Sequence, residues 1–305
     1  MKYATAGAFR TALEQRLANL ARETGVPLLR LRKLVVFDRL LARLIAVAPD
    51  RFVLKGAVAL HLRVGAGFRT TKDVDLGRQD NEEAANADFL AAPAIDLGDH
   101  FGFDIRRTGR LDTTIEGTAV RYHATAELAG RPFEEISVDV SFGDPPGAQP
   151  DLVRGLDLLG FAGIPPVEVP SLPLEQHVAE KVHAYTRTYG VGEASTRVKD
   201  LIDLVMIESS FDFLAGRLRL ALQATFDARA SHPVPAKLPP PPHEWRTAYR
   251  RMAAEVGLDL DVAVGYGQAG AFLDPVLAQT VADDSHWNPN RQAWQAARHK
   301  SEDDV

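Results

Sequence analysis

Apolar side chains recur at helical spacing along the first fifty residues of the chain. A repeat with apolar positions three or four residues apart predicts amphipathic helices. It occurs in residues 8–22 and again in residues 28–47. We therefore expect two helices before the first strand.

Apolar and polar residues then alternate in several shorter stretches, which is the pattern of half-buried strands. The predicted strands cover residues 52–55, 72–76, 101–106, 113–126 and 133–142. Helices are predicted among them at 57–63 and 81–90. This alternation predicts a mixed sheet domain over residues 1–150.

The second half of the chain returns to helical spacing. The predicted helices cover residues 174–189, 196–209, 211–228, 243–256 and 271–281. Glycine and proline clusters at 143–147 and 160–173 predict loops, and residues 233–242 form a proline-rich connector. Residues 151–305 are therefore expected to form a helical domain.

The composition is that of an ordinary globular protein, with 46% hydrophobic and 25% charged residues. The absence of cysteine excludes disulfides, thiolate metal ligands and a cysteine nucleophile. The sequence contains no run of about 18 apolar residues and no apolar leader segment. We therefore expect a cytoplasmic protein that does not contact a membrane.

The charge is unevenly distributed along the chain. The formal net charge is -6, whereas residues 1–48 contain nine basic and three acidic residues. Such a segment can bind a nucleic-acid backbone, or it can be the solvated side of amphipathic helices, and charge alone leaves both open. The candidate RNA-binding residues are Arg30, Arg32, Lys33, Arg39 and Arg43.

Two carboxylates lie one residue apart in the strand predicted at 72–76. In an extended strand Asp73 and Asp75 project from one face, while Val74 and Leu76 project from the other. Adjacent carboxylates repel each other unless a positive charge lies between them, and Mg2+ prefers oxygen ligands of this kind. A solvated acidic pair is the alternative, although the preceding strand, glycine and helix favour a site.

A third carboxylate, Asp139, lies in the middle of the strand predicted at 133–142. Val138 and Val140 share one face of this strand, so Asp139 projects from the other. An unpaired charge within a strand is unfavourable unless it has a partner. Asp139 is thus either a third metal ligand on a neighbouring strand or an acid on the exposed face of a one-sided sheet.

Charged residues also cluster on two predicted helices of the second half. Lys181 lies on the first, and Asp200 and Asp203 lie three residues apart on the second. They are either ordinary surface pairs or a lysine that neutralises nucleotide phosphates and is held by an aspartate of the next helix.

Five segments together resemble the AbiEii-type nucleotidyltransferase toxins, the group that includes the mycobacterial MenT toxins. These segments read LKGAVALHLR, RTTKDVDL, SVDVSFGD, AEKVHAYTR and RVKDLIDL. The resemblance implies the toxin half of a type IV toxin–antitoxin pair. It also implies an α+β fold, with a DNA-polymerase-β-like nucleotidyltransferase core and a helical C-terminal domain.

The resemblance assigns roles to the acidic residues and to the lysine. Asp73, Asp75 and Asp139 match catalytic carboxylates that bind Mg2+, with Mn2+ as the alternative, and an NTP is the implied substrate. Lys181 matches an essential lysine that the helical domain contributes to the site.

The same comparison implies a partner for this lysine and a set of nucleotide contacts. Asp203 matches the lysine's partner, and Asp200 is the fallback. The expected nucleotide-binding residues are Lys55, Gly56, Ala57, Arg69 and Lys72. The family usually has serine or glycine at the position of Ala57; alanine lacks the hydroxyl, but its backbone N–H at a helix start can still donate to a phosphate.

The implied reaction is transfer of an NMP from the NTP to an RNA acceptor, above all the tRNA 3′ acceptor end, with release of pyrophosphate. This modification would inhibit translation and growth. A cognate, AbiEi-like antitoxin is the implied protein partner. The alternatives are nucleotidylation of a protein hydroxyl and a homologue that binds a nucleotide or the antitoxin without turnover.

Overall fold

The computed structural model describes residues 1–65, 71, 73–113, 117–143, 149–187, 197–258 and 261–296. The chain divides into two compact units. The first comprises Met1–Asp144 and Gln149–Leu172, and the second comprises Pro145–Ala148 and Pro173–Val305. Each unit has its own buried apolar residues and is described by itself.

The first unit is a mixed sheet with helices. Its helices are α1 (Ala6–Thr24), α2 (Leu28–Val47), α3 (Gly56–Val64) and α4 (Glu82–Ala91). Its strands are β1 (Val53–Lys55), β2 (Asp73–Arg78), β3 (Phe101–Thr113), β4 (Gly117–Leu128), β5 (Arg131–Phe142), β6 (Asp151–Arg154) and β7 (Glu168–Ser171). The predicted N-terminal helices and the strands that became β1 to β5 are confirmed.

The strand order is β3-β4-β5-β2-β1-β7-β6, so β2 is the fourth of seven strands. It pairs in parallel with β5 and antiparallel with β1. Val74 and Leu76 are each 1% exposed and belong to the core, together with apolar residues of α1 and α2. The alternation therefore leaves the acidic face of a central strand away from this core.

Two strands of this unit were not predicted. β6 lies in residues that the sequence analysis assigned to the helical domain, and residues 160–173, predicted as a loop from their glycine and proline content, contain β7. This strand pairs in parallel with β1 and antiparallel with β6. The hydrogen bonds to two neighbouring strands outweigh the local turn signals.

The second unit is mainly helical. Its helices are α5 (Leu174–Thr186), α6 (Val198–Ser210), α7 (Ala215–Arg229), α8 (Trp245–Ala254) and α9 (Val262–Leu277). A small sheet that the sequence analysis missed joins β8 (Phe213–Leu214), β9 (His286–Asn288) and β10 (Ala293–Gln295). Its strands have only two or three residues, too few for an alternating pattern to be visible.

Aromatic packing holds the small sheet against the helices. The Phe272 and Trp294 rings stack with centroids 5.8 Å apart, and the Trp287 indole donates to the carbonyl oxygen of Glu208 at 2.7 Å. Among the helices that the structure describes, none is both long enough and apolar enough to cross a membrane. The mixed α+β prediction is confirmed.

Candidate active site

The three predicted carboxylates of the sheet unit lie together on one face. Asp73 and Asp75 are separated by the buried Val74, and Asp75 is the cross-strand partner of Asp139 on β5. Residues paired directly across strands project from the same face of the sheet. The structure therefore brings Asp73, Asp75 and Asp139 to one surface.

The glycine at the start of α3 fits against one of these carboxylates. Gly56 has a φ of +63°, and a Cβ built on it would lie 1.9 Å from Oδ2 of Asp75. Both the backbone conformation and the close approach exclude a larger residue. The strand–glycine–helix connection thus places the start of α3 directly beside the Asp75 carboxylate.

The start of α3 also supplies hydrogen-bond donors. The first N–H groups of a helix have no partner within it and attract anions. Lys55, which precedes the helix, makes no side-chain capping bond to it. Ala57 is only 2% exposed, so its methyl group packs inside while its N–H belongs to the first helical turn.

Charged residues form a row across four neighbouring strands. Lys55 on β1 pairs with Asp75 on β2, Asp75 pairs with Asp139 on β5, and Asp139 pairs with Arg121 on β4. The order of charges along the row is positive, negative, negative, positive. Each inner carboxylate therefore has a basic residue beside it on its outer side.

Arg121 is a site residue that the sequence analysis missed. Its Nε and Nη2 each donate to one oxygen of Asp139 at 2.7 Å, and Nη2 lies 3.7 Å from Oδ2 of Asp73. The hydrogen bond with Asp139, followed by the nearby negative charges, raises the pKa of Arg121. The buried neighbours Val120 and Tyr122 show that Arg121 projects from the face opposite the core. That alternation and the short β4–β5 turn were the signals that could have identified it.

The carboxylate oxygens of this face suit one divalent cation better than a cluster of metal ions. Asp73 and Asp75 offer adjacent carboxylate oxygens, which hard cations prefer. Both oxygens of Asp139 accept from Arg121. Within the described ranges, no group of three histidine, cysteine, aspartate or glutamate side chains is arranged to hold a metal ion. Of the predicted nucleotide contacts, Arg69 and Lys72 lie outside these ranges.

The helical unit brings the predicted lysine and its partners together. Nζ of Lys181 on α5 lies 2.5 Å from Oδ2 of Asp203 and 3.5 Å from Oδ1 of Asp200, both on α6. Lys181 is 8% exposed, and Asp203 is completely buried. Burying charges costs free energy even when they are paired, so this group is more than an ordinary surface contact.

Two of the five candidate RNA-binding residues are corrected by their burial. Arg39 and Arg43 are 4% and 1% exposed and form ion pairs with Asp99. Both guanidinium groups therefore form ion pairs inside the sheet unit, and neither is available to bind a phosphate backbone. Their positive charge was visible in the sequence, but their buried acidic partner was not.

The other three basic residues of α2 are half-buried. Arg30 donates to Nδ1 of His61 at 3.2 Å. Arg32 lies over the Phe133 ring and pairs with Glu14 at 3.4 Å. Together with Lys33 they keep part of their surface accessible.

The fold and these residues define the class of the protein. A mixed sheet with paired carboxylates on a central strand, beside a glycine that begins a helix, agrees with the nucleotidyltransferase core that the sequence resemblance implied. The family model "Nucleotidyl transferase AbiEii toxin, Type IV TA system" matches residues 39–272. The chain therefore belongs to the AbiEii nucleotidyltransferase toxin family.

Two solved structures are similar to the chain, and the first of them supports the fold. The nucleotidyltransferase toxin MenT4 from Mycobacterium tuberculosis H37Rv is 20% identical, with a TM-score of 0.54 over 88% of this chain and 99% of that chain. JHP933 from Helicobacter pylori is 16% identical, with a TM-score of 0.45 over 81% of this chain and 93% of that chain. No curated protein sequence matches significantly.

Proposed function

We propose that the protein transfers an NMP from an NTP to the 3′ acceptor end of tRNA and thereby inhibits translation. Membership of the family makes it a nucleotidyltransferase toxin. The observation that carries the chemistry is the contact of Gly56 with Asp75, which places a carboxylate pair beside the start of a helix. The N–H groups at the start of a helix bind phosphates, and a cation held by the adjacent carboxylates can bind the same phosphates.

The residues of the chain act by binding and by charge. The first turn of α3 donates N–H groups to the phosphates, and Gly56 allows the close approach. Asp73 and Asp75 would hold Mg2+ or Mn2+, which supplies neutralisation of the triphosphate charge. For Lys181, which Asp203 holds within the helical unit, we propose the role that the family resemblance implies, neutralisation of phosphate charge.

The transfer itself is an in-line displacement at the α-phosphorus. The acceptor hydroxyl oxygen forms a bond to that phosphorus, and the bond to the bridging oxygen of the β-phosphate breaks. Pyrophosphate leaves with the bonding electrons, and the hydroxyl proton passes to Asp139 or to water. Catalysis of this kind depends on positioning and electrostatic stabilisation more than on covalent groups.

The proposed partners follow from the family and from the accessible basic residues. Arg30, Arg32 and Lys33 are proposed to contact the RNA backbone, since they are accessible on α2. A cognate AbiEi-like antitoxin is proposed as the protein partner, because the family is that of type IV toxin–antitoxin systems.

The acceptor is tested by incubating the full chain with each of four α-labelled NTPs, with total tRNA in one reaction and a protein extract in another. We expect label on tRNA from one or more NTPs. Label on protein alone would favour nucleotidylation of a protein hydroxyl.

Label on neither acceptor would favour the remaining candidate, a protein that binds a nucleotide or its antitoxin without turnover. One observation favours that candidate, because Ala57 has no hydroxyl for a phosphate.

A further inference from the structure

Arg121 and Asp139 form a bidentate ion pair on the acidic face of the sheet. Two parallel N–H···O bonds of 2.7 Å join the guanidinium to the carboxylate. This bidentate geometry fixes orientation as well as distance, and it is stronger than a single hydrogen bond. The contact comes from directly paired positions on adjacent strands, so the sheet itself maintains it.

A divalent cation at Asp139 would have to compete with this guanidinium. Mg2+ binds its oxygen ligands at about 2.1 Å in octahedral geometry, and it would need an oxygen that Arg121 already uses. It would also lie close to a like charge, which is unfavourable. Asp73 lies further from the guanidinium than Asp139 does, since Nη2 of Arg121 is 3.7 Å from its Oδ2.

The charge of the site leads to the same conclusion. Among the described side chains of this face, Asp73, Asp75 and Asp139 contribute three negative charges, and Lys55 and Arg121 contribute two positive charges. The formal sum of -1 favours one divalent cation, whereas three carboxylates without their basic neighbours would suit two.

We propose that Arg121 holds Asp139 out of the metal coordination shell, so that one divalent cation binds to Asp73 and Asp75 and Arg121 supplies the second positive charge. The inference rests on the proposed function and deepens it. Arg121 is a positioning residue, because it acts through Asp139. An ordinary exposed ion pair would contribute little and would leave metal binding unchanged.

The test is to titrate the full chain with Mn2+ in the absence of nucleotide. Electron paramagnetic resonance measures how many ions bind and how tightly. The variants are Asp75→Asn, Asp139→Asn, Arg121→Gln and the double variant Arg121→Gln/Asp139→Asn. Arg110→Gln, an exposed arginine of β3 that pairs with Glu82, removes the same charge elsewhere. Circular dichroism checks that each variant is folded.

We expect one Mn2+ per wild-type chain, a loss of binding in Asp75→Asn, a much smaller weakening in Asp139→Asn because it leaves the Arg121 charge unpaired, and unchanged binding in Arg110→Gln. Arg121→Gln should bind Mn2+ about tenfold more tightly or bind a second ion, because a positive charge within a few ångströms is removed. The double variant should lose that gain. Arg121→Lys should keep wild-type stoichiometry, because it retains the charge.

The inference is overturned if Asp139→Asn weakens Mn2+ binding as strongly as Asp75→Asn, or if Arg121→Gln changes nothing. Its failure is distinguishable from failure of the proposed function. If label is transferred to tRNA but Asp139→Asn weakens Mn2+ binding as strongly as Asp75→Asn does, only the role of Arg121 is overturned. The expected Mn2+ pattern without label transfer would contradict only the function.

Discussion

Gly56 and Asp75 lie so close together that no side chain fits between them. A Cβ on Gly56 would be 1.9 Å from Oδ2 of Asp75, and the glycine has a φ of +63°. The beginning of α3 and the acidic strand β2 therefore depend on each other. A change at either residue should affect both the fold and the nucleotide site.

The first prediction concerns this contact. Gly56→Ala should abolish label transfer, because the new methyl group displaces the Asp75 carboxylate. The free energy of unfolding should fall by about 1–3 kcal/mol from the clash and the unfavourable φ. Urea denaturation and label transfer measure the two effects.

Gly25→Ala is the matched control. Gly25 has a φ of +73° but no atom within 4 Å of its Cβ position, so it carries the backbone cost without the clash. Gly25→Ala should lose about 1 kcal/mol and keep its activity. Equal activities of the two variants would contradict the importance of the contact.

The sequence was sufficient to predict the parts of the site that depend on local pattern. Alternation placed Asp73, Asp75 and Asp139 on strand faces opposite Val74 and Val138, and the structure has them there. Arg121 was missed because its pairing with Asp139 depends on the register of two strands.

The burial of Arg39 and Arg43 was missed for a related reason. Their partner Asp99 is 56 residues from Arg43 along the chain, so no local pattern reveals the ion pair. A charged residue whose partner is distant in sequence has the same local pattern as a solvated one. Tertiary contacts thus decided which of the basic residues remain accessible.

The second prediction concerns the buried lysine. Lys181→Met should lower the free energy of unfolding of the helical unit by about 3–5 kcal/mol, because Asp203 is left buried without its ion pair. Adding Asp203→Asn should restore much of that loss, since it removes the unpaired charge. All three tryptophans of the chain lie in this unit, so their fluorescence reports on its unfolding.

Activity separates the structural from the functional role of this pair. If Lys181 neutralises the phosphates, the double variant should be stable and still inactive in label transfer. Recovery of transfer together with stability would show that the lysine is structural.

The third prediction concerns the pH dependence of stability. Glu208 is buried, and burial raises its pKa to about 7 from 4.5. The folded state therefore binds this proton more tightly than the unfolded state does. Its stabilising contribution is fully present below pH 4.5 and is lost as the pH rises to about 7.

Glu208→Gln removes this titration, so the comparison is between the stability of the variant and that of the wild type at each pH. At pH 8 the variant should be more stable than the wild type by on the order of 2 kcal/mol, and the difference should shrink towards pH 4. Tryptophan fluorescence in urea is a suitable measurement, because the Trp287 indole donates to the Glu208 carbonyl. A difference that does not depend on pH would contradict the assignment.

The fourth prediction concerns RNA. Replacing Arg32 and Lys33 with glutamine should weaken tRNA binding and flatten its dependence on salt, because fewer counterions are released. Arg106→Gln, a change at an exposed residue of β3, is the control and should bind normally. Filter binding at several salt concentrations gives the salt dependence of tRNA affinity for each protein. The same dependence in the double variant and in Arg106→Gln would exclude Arg32 and Lys33 from the RNA contact.

The requirement of nucleotidyl transfer for the carboxylate pair on β2 is the core of the proposed function. It is tested most directly by the rate of label transfer from an α-labelled NTP to tRNA in Asp75→Asn and in Asp104→Asn, a change at an exposed aspartate of β3. We expect Asp75→Asn to be about a thousandfold slower, since several kcal/mol of charge stabilisation are lost, and Asp104→Asn to equal the wild type. Equal rates in the two variants would contradict this requirement.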